Sequence, residues 1–310
     1  MQEVLPLPQG TQIFNLLDYE TVGVIGRGGF GEVSRVKNIV SGELYAIKKL
    51  LFRSEIQRDA AANEIEIVTT LNHENLLGCL GLYSAPGEIR ILMELMESDM
   101  SKFRSRDDKV LAGIAGKMLS GLRYLKQNSL LHLDIKPHNL LCRSGVDVIK
   151  LADFGSVVKL STGPKHIYKT GTRSYGAPEI YCNSGITVGP TSPTSVFACD
   201  VFSFGIAMLQ MFEGKIPVTS KLSAWYLVDQ NRFHLPHFIT DPSENFQSFL
   251  GCCLHKDPTN RFTVEQLLAH PFITELPIDM KGCAQRWLAF FLVPIATVFP
   301  LKNIIEMNKT

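Results

Sequence analysis

The stretch Leu131-His132-Leu133-Asp134-Ile135-Lys136-Pro137-His138-Asn139 is followed by Ala152-Asp153-Phe154-Gly155. Two carboxylates, an ammonium and an amide therefore fall within one short span of chain. A carboxylate such as Asp134 can orient a hydroxyl and accept its proton. Lys136, two residues on, can neutralise charge on a phosphoryl group moving to that hydroxyl. Asn139 and Asp153 are hard oxygen ligands of the kind that hold Mg²⁺, a cation shared between few protein oxygens, phosphates and water. Any one of these residues alone reads as a solvated surface group. The order of the whole set argues against that reading.

Upstream, Ile25 leads into Gly26-Arg27-Gly28-Gly29-Phe30-Gly31-Glu32-Val33. Glycines at this spacing let backbone N–H groups approach phosphate oxygens without side-chain obstruction. A dinucleotide-binding turn uses the same glycines, but a helix opens after it, whereas the residues after Gly31 have strand composition. A glycine-rich turn that binds nothing is the plainer alternative. Lys48, in Tyr45-Ala46-Ile47-Lys48, stands fifteen residues after Val33. An ammonium aimed into an apolar strand environment needs anions. Glu64 is the expected partner, with phosphate oxygens as the others; two separate solvated charges are the alternative.

The elements that must position these groups fall into two parts. Tyr19–Gly26, Gly31–Asn38, Glu43–Leu50, Leu76–Tyr83 and Ile89–Leu95 read as strands, with turns at Ser41-Gly42 and Pro86-Gly87. One helix, Ala60–Leu71, carries Ile65, Val68 and Leu71 at helical spacing. The character changes near Ser98. Lys109–Gln127 carries a single apolar stripe, residues 199–213 are apolar on nearly every face, and Thr263 with Gln266 forms a capping box opening a helix over Val264–Ala269. Ile186–Ser195 reads as a surface loop.

On these motifs the chain resembles the eukaryotic-type protein kinases over residues 19–275. The resemblance implies an α+β, two-lobed fold: a small N-terminal antiparallel sheet with one helix over 19–96 and a larger, mainly helical lobe over 97–275. Residues 1–18 are then an N-terminal extension and 276–310 a C-terminal tail. It also implies that ATP and Mg²⁺ are bound, with Gly26, Arg27, Gly28, Gly29, Phe30, Gly31 and Glu32 as the lid over the phosphates and Lys48 and Glu64 as the phosphate-binding pair. Ile25, Val33, Ala46 and Leu141 would border the nucleotide. Met93 would be the gatekeeper, Glu94 and Met96 the hinge, and Asp99 a contact to the ribose. Asp134 would orient the acceptor and Lys136 assist transfer, with Asn139 and Asp153 on the metal. The resemblance further pairs Glu179 of Ala177-Pro178-Glu179 with Arg261 and sets Asp200 under the catalytic-loop backbone.

Lys136 with Gly171-Thr172-Arg173-Ser174-Tyr175 resembles the serine/threonine branch, so Ser or Thr of protein substrates is the expected acceptor. The departure is Leu133. The family writes arginine there, a residue able to clamp a phosphorylated activation segment through bidentate bonds. Leucine has neither donor nor charge. Activity without activation-segment phosphorylation is therefore expected, although Thr162, Tyr168 and Thr170 lie in that segment. The Mos-like kinases share His-Leu-Asp, a feature too small to assign a subfamily. The alternative function is a pseudokinase scaffold that binds nucleotide and partners without transfer; Lys48, Glu64, Asp134, Asn139 and Asp153 together weigh against it.

Composition sets the remaining bounds. Hydrophobic residues make up 45% and charged residues 20%, which argues against disorder, and a net charge of +1 offers no bulk field for nucleic acid. Seven cysteines in no framework spacing, without a Cys-x-x-Cys, and an N-terminus without a signal-peptide pattern imply an intracellular protein of cytoplasm or nucleus with free thiols. Residues 287–301 are apolar and uncharged, shorter than the roughly twenty residues that span a bilayer and interrupted by Pro294 and Pro300. Packing against the helical lobe is expected for them, and membrane contact is the minority reading.

Overall fold

A computed structural model describes residues 4–28, 31–181, 185–216 and 239–275. The N-terminal lobe is a five-stranded antiparallel sheet in the order β1-β2-β3-β5-β4. It is built from β1 (Tyr19–Gly28), β2 (Gly31–Asn38), β3 (Leu44–Leu51), one helix α1 (Glu55–Thr70), β4 (Gly81–Ala85) and β5 (Glu88–Glu94). Turn chemistry sets the register. The Asn38 carboxamide oxygen accepts the N–H groups of Val40 and Ser41 between β2 and β3, and Gly42 and Gly87 take positive φ where the chain reverses. Along β3 the two-residue period puts Ala46, Lys48 and Leu50 on the face toward the main core and Ile47 on the opposite face with Phe14, Val36 and Leu92.

Two sequence expectations shift here. The helix starts at Glu55, not Ala60, because Ser54 caps it by accepting the Gln57 N–H. Its first turn is exposed, so it carries no apolar period. The strand expected over Leu76–Tyr83 runs instead over Gly81–Ala85. Leu76 and Leu77 are buried, but Leu77 N–H bonds to Leu151 in the other lobe before the chain reaches the sheet. The N-terminal extension is also built in. Gln12 and Phe14 bond to the outer edge of β4 at Leu82, with Leu5 and Phe14 buried.

The C-terminal lobe begins with β6 (Ser98–Asp99) and α2 (Asp108–Gln127), then β7 (Leu130–Leu131), β8 (Leu140–Arg143), β9 (Val148–Leu151) and β10 (Val158–Lys159). β6, β8 and β9 form a small sheet, and β10 pairs with β7. β11 (Lys165–Ile167), α3 (Pro178–Tyr181), β12 (Ile186–Val188), α4 (Ala198–Glu213), α5 (Glu244–Cys253), α6 (Val264–Leu268) and α7 (Pro271–Thr274) follow. Every residue of α4 from Ala198 to Phe212 is buried. Residues 194–213 are long and apolar enough to cross a membrane by composition, and the most apolar 18-residue window within them is 89% buried inside the protein. Phe212 and Phe204 of α4 pack on Phe246 and Phe249 of α5, each buried ring contributing about 1.5–3 kcal/mol. The capping box of Thr263 and Gln266 opens α6. Ile186–Val188 is a strand and not part of a loop: it pairs with β11 and buries Val188, which gives its β-branched residues a partner the local sequence does not reveal. Gly29, Phe30, Cys182, Cys283 and the apolar segment 287–301 lie outside the described residues.

Candidate active site

One row of the N-terminal sheet runs through the nucleotide side of the cleft. Gly26 pairs with Val33, Val33 with Lys48, Lys48 with Ile91, Ile91 with Leu82, and Leu82 with Ile13 of the extension. Lys48 is thus fixed on both sides, and its Nζ lies 2.7 Å from Glu64 Oε1 of α1 and 2.8 Å from Asp153 Oδ1. Burial pulls the Lys48 ammonium down, but Glu64 and Asp153 outweigh it and hold its pKa above the ordinary value. Burial also pushes the Glu64 carboxyl up, against the pull of Lys48. At Gly31, φ is +134° and a Cβ would meet the Lys49 carbonyl oxygen at 2.0 Å, so only glycine fits where the lid returns to the sheet. Arg27 and Glu32 face each other across the hairpin at 2.7 Å, in solvent.

Met93 and Met96 are buried at the junction of the lobes, with Met93 opposite Ala46. The Glu94 side chain spans the junction, reaching Lys150 Nζ of β9 at 2.7 Å and Arg143 of β8 at 3.3 Å. Sequence reasoning assigned Glu94 to the hinge and missed this tie, because the partners lie far along the chain. Asp99 is exposed and accepts the Ser101 N–H at 2.7 Å. Leu141 lies in β8, half-buried against the core, and Ile25 is a half-exposed residue of β1.

The acceptor side is a compact polar network. Asp134 Oδ2 receives Lys136 Nζ at 2.7 Å and Asn139 Nδ2 at 3.1 Å. Asp134 Oδ1 receives the Thr172 N–H at 2.8 Å and its hydroxyl at 2.6 Å, while Lys136 Nζ also lies 2.7 Å from Thr172 Oγ1. Burial raises the Asp134 carboxyl, but the bonds from Lys136 and Thr172 prevail and hold it below the usual carboxylate range. A carboxylate that stays ionised is suited to aligning a hydroxyl and taking its proton as the phosphate bond forms. The Asn139 amide N–H₂ is spent on the Asp134 carbonyl and carboxylate, so the carbonyl oxygen is the atom left to face a cation. Asp153 sits at φ +65° in the left-handed region, a conformation costing about 1–3 kcal/mol that places its carboxylate against Lys48. Asn139 and Asp153 fit a Mg²⁺ held mainly by phosphate oxygens and water.

Beneath the loop, Asp200 at the start of α4 accepts the N–H groups of His132 and Leu133, both at 2.8 Å. His132 is fully buried, its ring edge-on to Phe154. Leu133 is 7% exposed at φ +65°, and it lines a small cavity with Thr170, Gly176, Ala177, Ile180, Cys199, Asp200 and Ser203. A Cβ on Gly171 would stand 2.0 Å from the Leu133 carbonyl oxygen, so the activation segment lies flat on the catalytic loop here. Tyr181 donates its hydroxyl toward the carbonyls of Thr170 and Gly171. Arg261 forms a fork onto Glu179 at 2.6 and 2.8 Å and spends further N–H groups on the carbonyls of His255, Ala198 and Lys256. The sequence-expected residues Lys48, Glu64, Asp134, Lys136, Asn139 and Asp153 are thereby brought together around one cleft. Thr172 belongs with them and was missed as a contact of Asp134; its place in Gly171-Thr172-Arg173 was the available signal.

A family model described as the protein kinase domain matches residues 19–273. Mitogen-activated protein kinase kinase 8 of Arabidopsis thaliana is 33% identical over 84% of this chain and 84% of its own length. Mitogen-activated protein kinase kinase 7 of the same plant is 35% identical over 83% of this chain and 85% of its own. Mitogen-activated protein kinase kinase kinase 3, also of Arabidopsis thaliana, is 32% identical over 92% of this chain and 48% of its own length.

Proposed function

The chain belongs to the protein kinase family, and from that premise we propose how its residues divide the work of an ATP-dependent protein serine/threonine kinase. Lys48, held by Glu64, binds the phosphates of ATP under the lid of residues 26–33, and the adenine lies between Ala46, Met93, Met96 and Leu141. Asn139 and Asp153 hold Mg²⁺, which supplies charge neutralisation on the phosphates when bound. Asp134 aligns the Ser or Thr hydroxyl and accepts its proton. Lys136 and Thr172 keep that carboxylate ionised and aimed. The observation that carries this reading is the joining of Lys48, Glu64 and Asp153 in one ion-paired set beside the Asp134–Lys136–Asn139–Thr172 network.

We further propose that transfer needs no phosphate on the activation segment. The support is a segment already held by Gly171 on Leu133, Tyr181 on Thr170 and Gly171, and Thr172 on Asp134. Leu133 faces neutral neighbours, and Asp200, the carboxylate beside it, is already engaged by two backbone N–H groups. An intracellular site of action accords with free thiols at Cys79, Cys142, Cys199, Cys252 and Cys253.

Transfer of labelled γ-phosphate to a generic acceptor protein, followed by phosphoamino-acid analysis, tests the assignment. Label is expected on serine or threonine with wild-type protein and lost in Asp134→Asn and Lys48→Met. ATP binding without transfer by the wild type would instead favour the scaffold reading.

A further inference from the structure

We infer that this kinase selects acceptor segments bearing anionic side chains, carboxylate or phosphate, within about three residues of the phosphorylated hydroxyl; the inference rests on the kinase reading above. From Phe154 to Pro178 the chain contains no Asp or Glu, yet carries Lys159, Lys165, His166, Lys169 and Arg173. Gly185–Phe197, which includes the strand paired with β11, contains no Asp or Glu either.

The carboxylates that border this surface are already committed. Glu66 pairs with Lys159, Asp134 with Lys136, Asp153 with Lys48, and Glu179 with Arg261. Asp200 is buried and takes two backbone N–H groups. Among the described residues neither Lys165 nor Lys169 is ion-paired with any of them. The charge is also held in place. The Lys169 N–H bonds to Ile180 at 3.0 Å, the residue is exposed, and its ammonium rests 4.8 Å from the centre of the Tyr168 ring. The Lys165 backbone is fixed by its ladder position opposite Val188, and His166 bonds the Thr187 hydroxyl. The Lys169 ammonium, already resting on a ring, loses less side-chain entropy when a ligand arrives.

Position relates this charge to the reaction. Thr172 touches the carboxylate that would receive the acceptor hydroxyl, and Lys169 stands three residues before it. Three residues of chain reach at most about 10 Å, and positive φ at Lys169 and Gly171 turns the chain tighter, so this charge lies within the span of roughly three residues of an extended acceptor. Arg173 follows Thr172 directly and is exposed, adding the same sign on the other side. The exposed carboxylates nearest in role, Glu97 and Asp99, lie after β5, where they accept backbone N–H groups of Ser144 and Ser101.

The test uses three serine-centred peptides that differ only in carrying Glu, Ala or Lys at the three positions on each side. Wild type is expected to favour the Glu peptide over the Ala peptide by about tenfold in kcat/KM at low salt. The advantage is expected to shrink as the screening length falls from about 10 Å at 0.1 M salt to about 3 Å at 1 M. The Lys165→Glu/Lys169→Glu double variant is expected to put the Lys peptide first, a gain that misfolding cannot produce. Equal rates for Glu and Ala peptides, a wild-type preference for Lys, or an unchanged preference in the double variant overturns the inference. Failure to label any of the three peptides overturns the kinase reading beneath it.

Discussion

Lys48 meets Glu64 sixteen residues away in sequence and Asp153 105 residues away, whereas Asp134 draws Lys136 and Asn139 from within five residues of itself. On the nucleotide side, one buried ion-paired set joins β3, α1 and the Asp153 turn, so its geometry depends on how α1 and the two lobes sit. On the acceptor side, a short loop folds its own polar groups together, and Thr172 and Asp200 pin it from elsewhere. The first arrangement can be broken by moving an element. The second holds together mostly by its own local bonds, and removing a single atom breaks it. Charge behaves accordingly: burial prevails at Glu64 and pushes it up, while hydrogen bonds prevail at Asp134 and hold it down.

Substitutions can separate the two sides. Asp134→Asn keeps the size of the side chain but removes the proton acceptor, and kcat is expected to fall by about 10²–10⁴ with ATP affinity retained. A comparable loss of ATP affinity would show the two sides are not separable. Arg261→Ala strips Glu179 of a partner whose guanidinium side chain is 0% exposed, and calorimetry is expected to show a loss of about 3–5 kcal/mol. Thr172→Val deletes the hydroxyl shared by Asp134 and Lys136; hydrogen bonds to charged groups contribute about 1.5–3 kcal/mol, so kcat is expected to fall by about ten- to a hundredfold. Glu64→Gln leaves a hydrogen-bonding side chain beside Lys48 without its charge, and about a tenfold rise in KM for ATP is expected while KM for the acceptor stays level. A shift confined to the acceptor would contradict the division.

The smallest effect is on stability with pH. Burial holds His132, His73 and His270 below their ordinary pKa. The unfolded chain therefore binds more protons, so this stability is complete above about pH 6.5 and lost as pH falls through the folded values. Glu64 and Asp200, raised by burial, act in the opposite sense. Tm is expected to drop by a few degrees between pH 7.5 and about 5.5; a level or rising Tm would contradict it.

Much of this was legible in the residues, for identifiable reasons. The acceptor loop is local, so Asp134, Lys136 and Asn139 stand in one run of sequence. α2, with its single apolar stripe, and α4, apolar on nearly every face, were also legible. The parts that were not legible depend on partners far along the chain. Glu94 finds Lys150 and Arg143 across the lobes, Ile186–Val188 becomes a strand only beside β11, and Gln12–Phe14 add to the β4 edge. Exposed first turns, as at the start of α1, carry no period to read.

The central claim is that the acceptor side is assembled by packing and hydrogen bonds, with Leu133 where a phosphate clamp would need a cation. Single-turnover transfer from labelled ATP, by phosphatase-treated protein and by the Thr162→Val/Tyr168→Phe/Thr170→Val variant, tests it most directly. Both rates are expected to lie within about twofold of the untreated wild type. A loss of about tenfold or more that rephosphorylation of the treated protein restores would contradict the account.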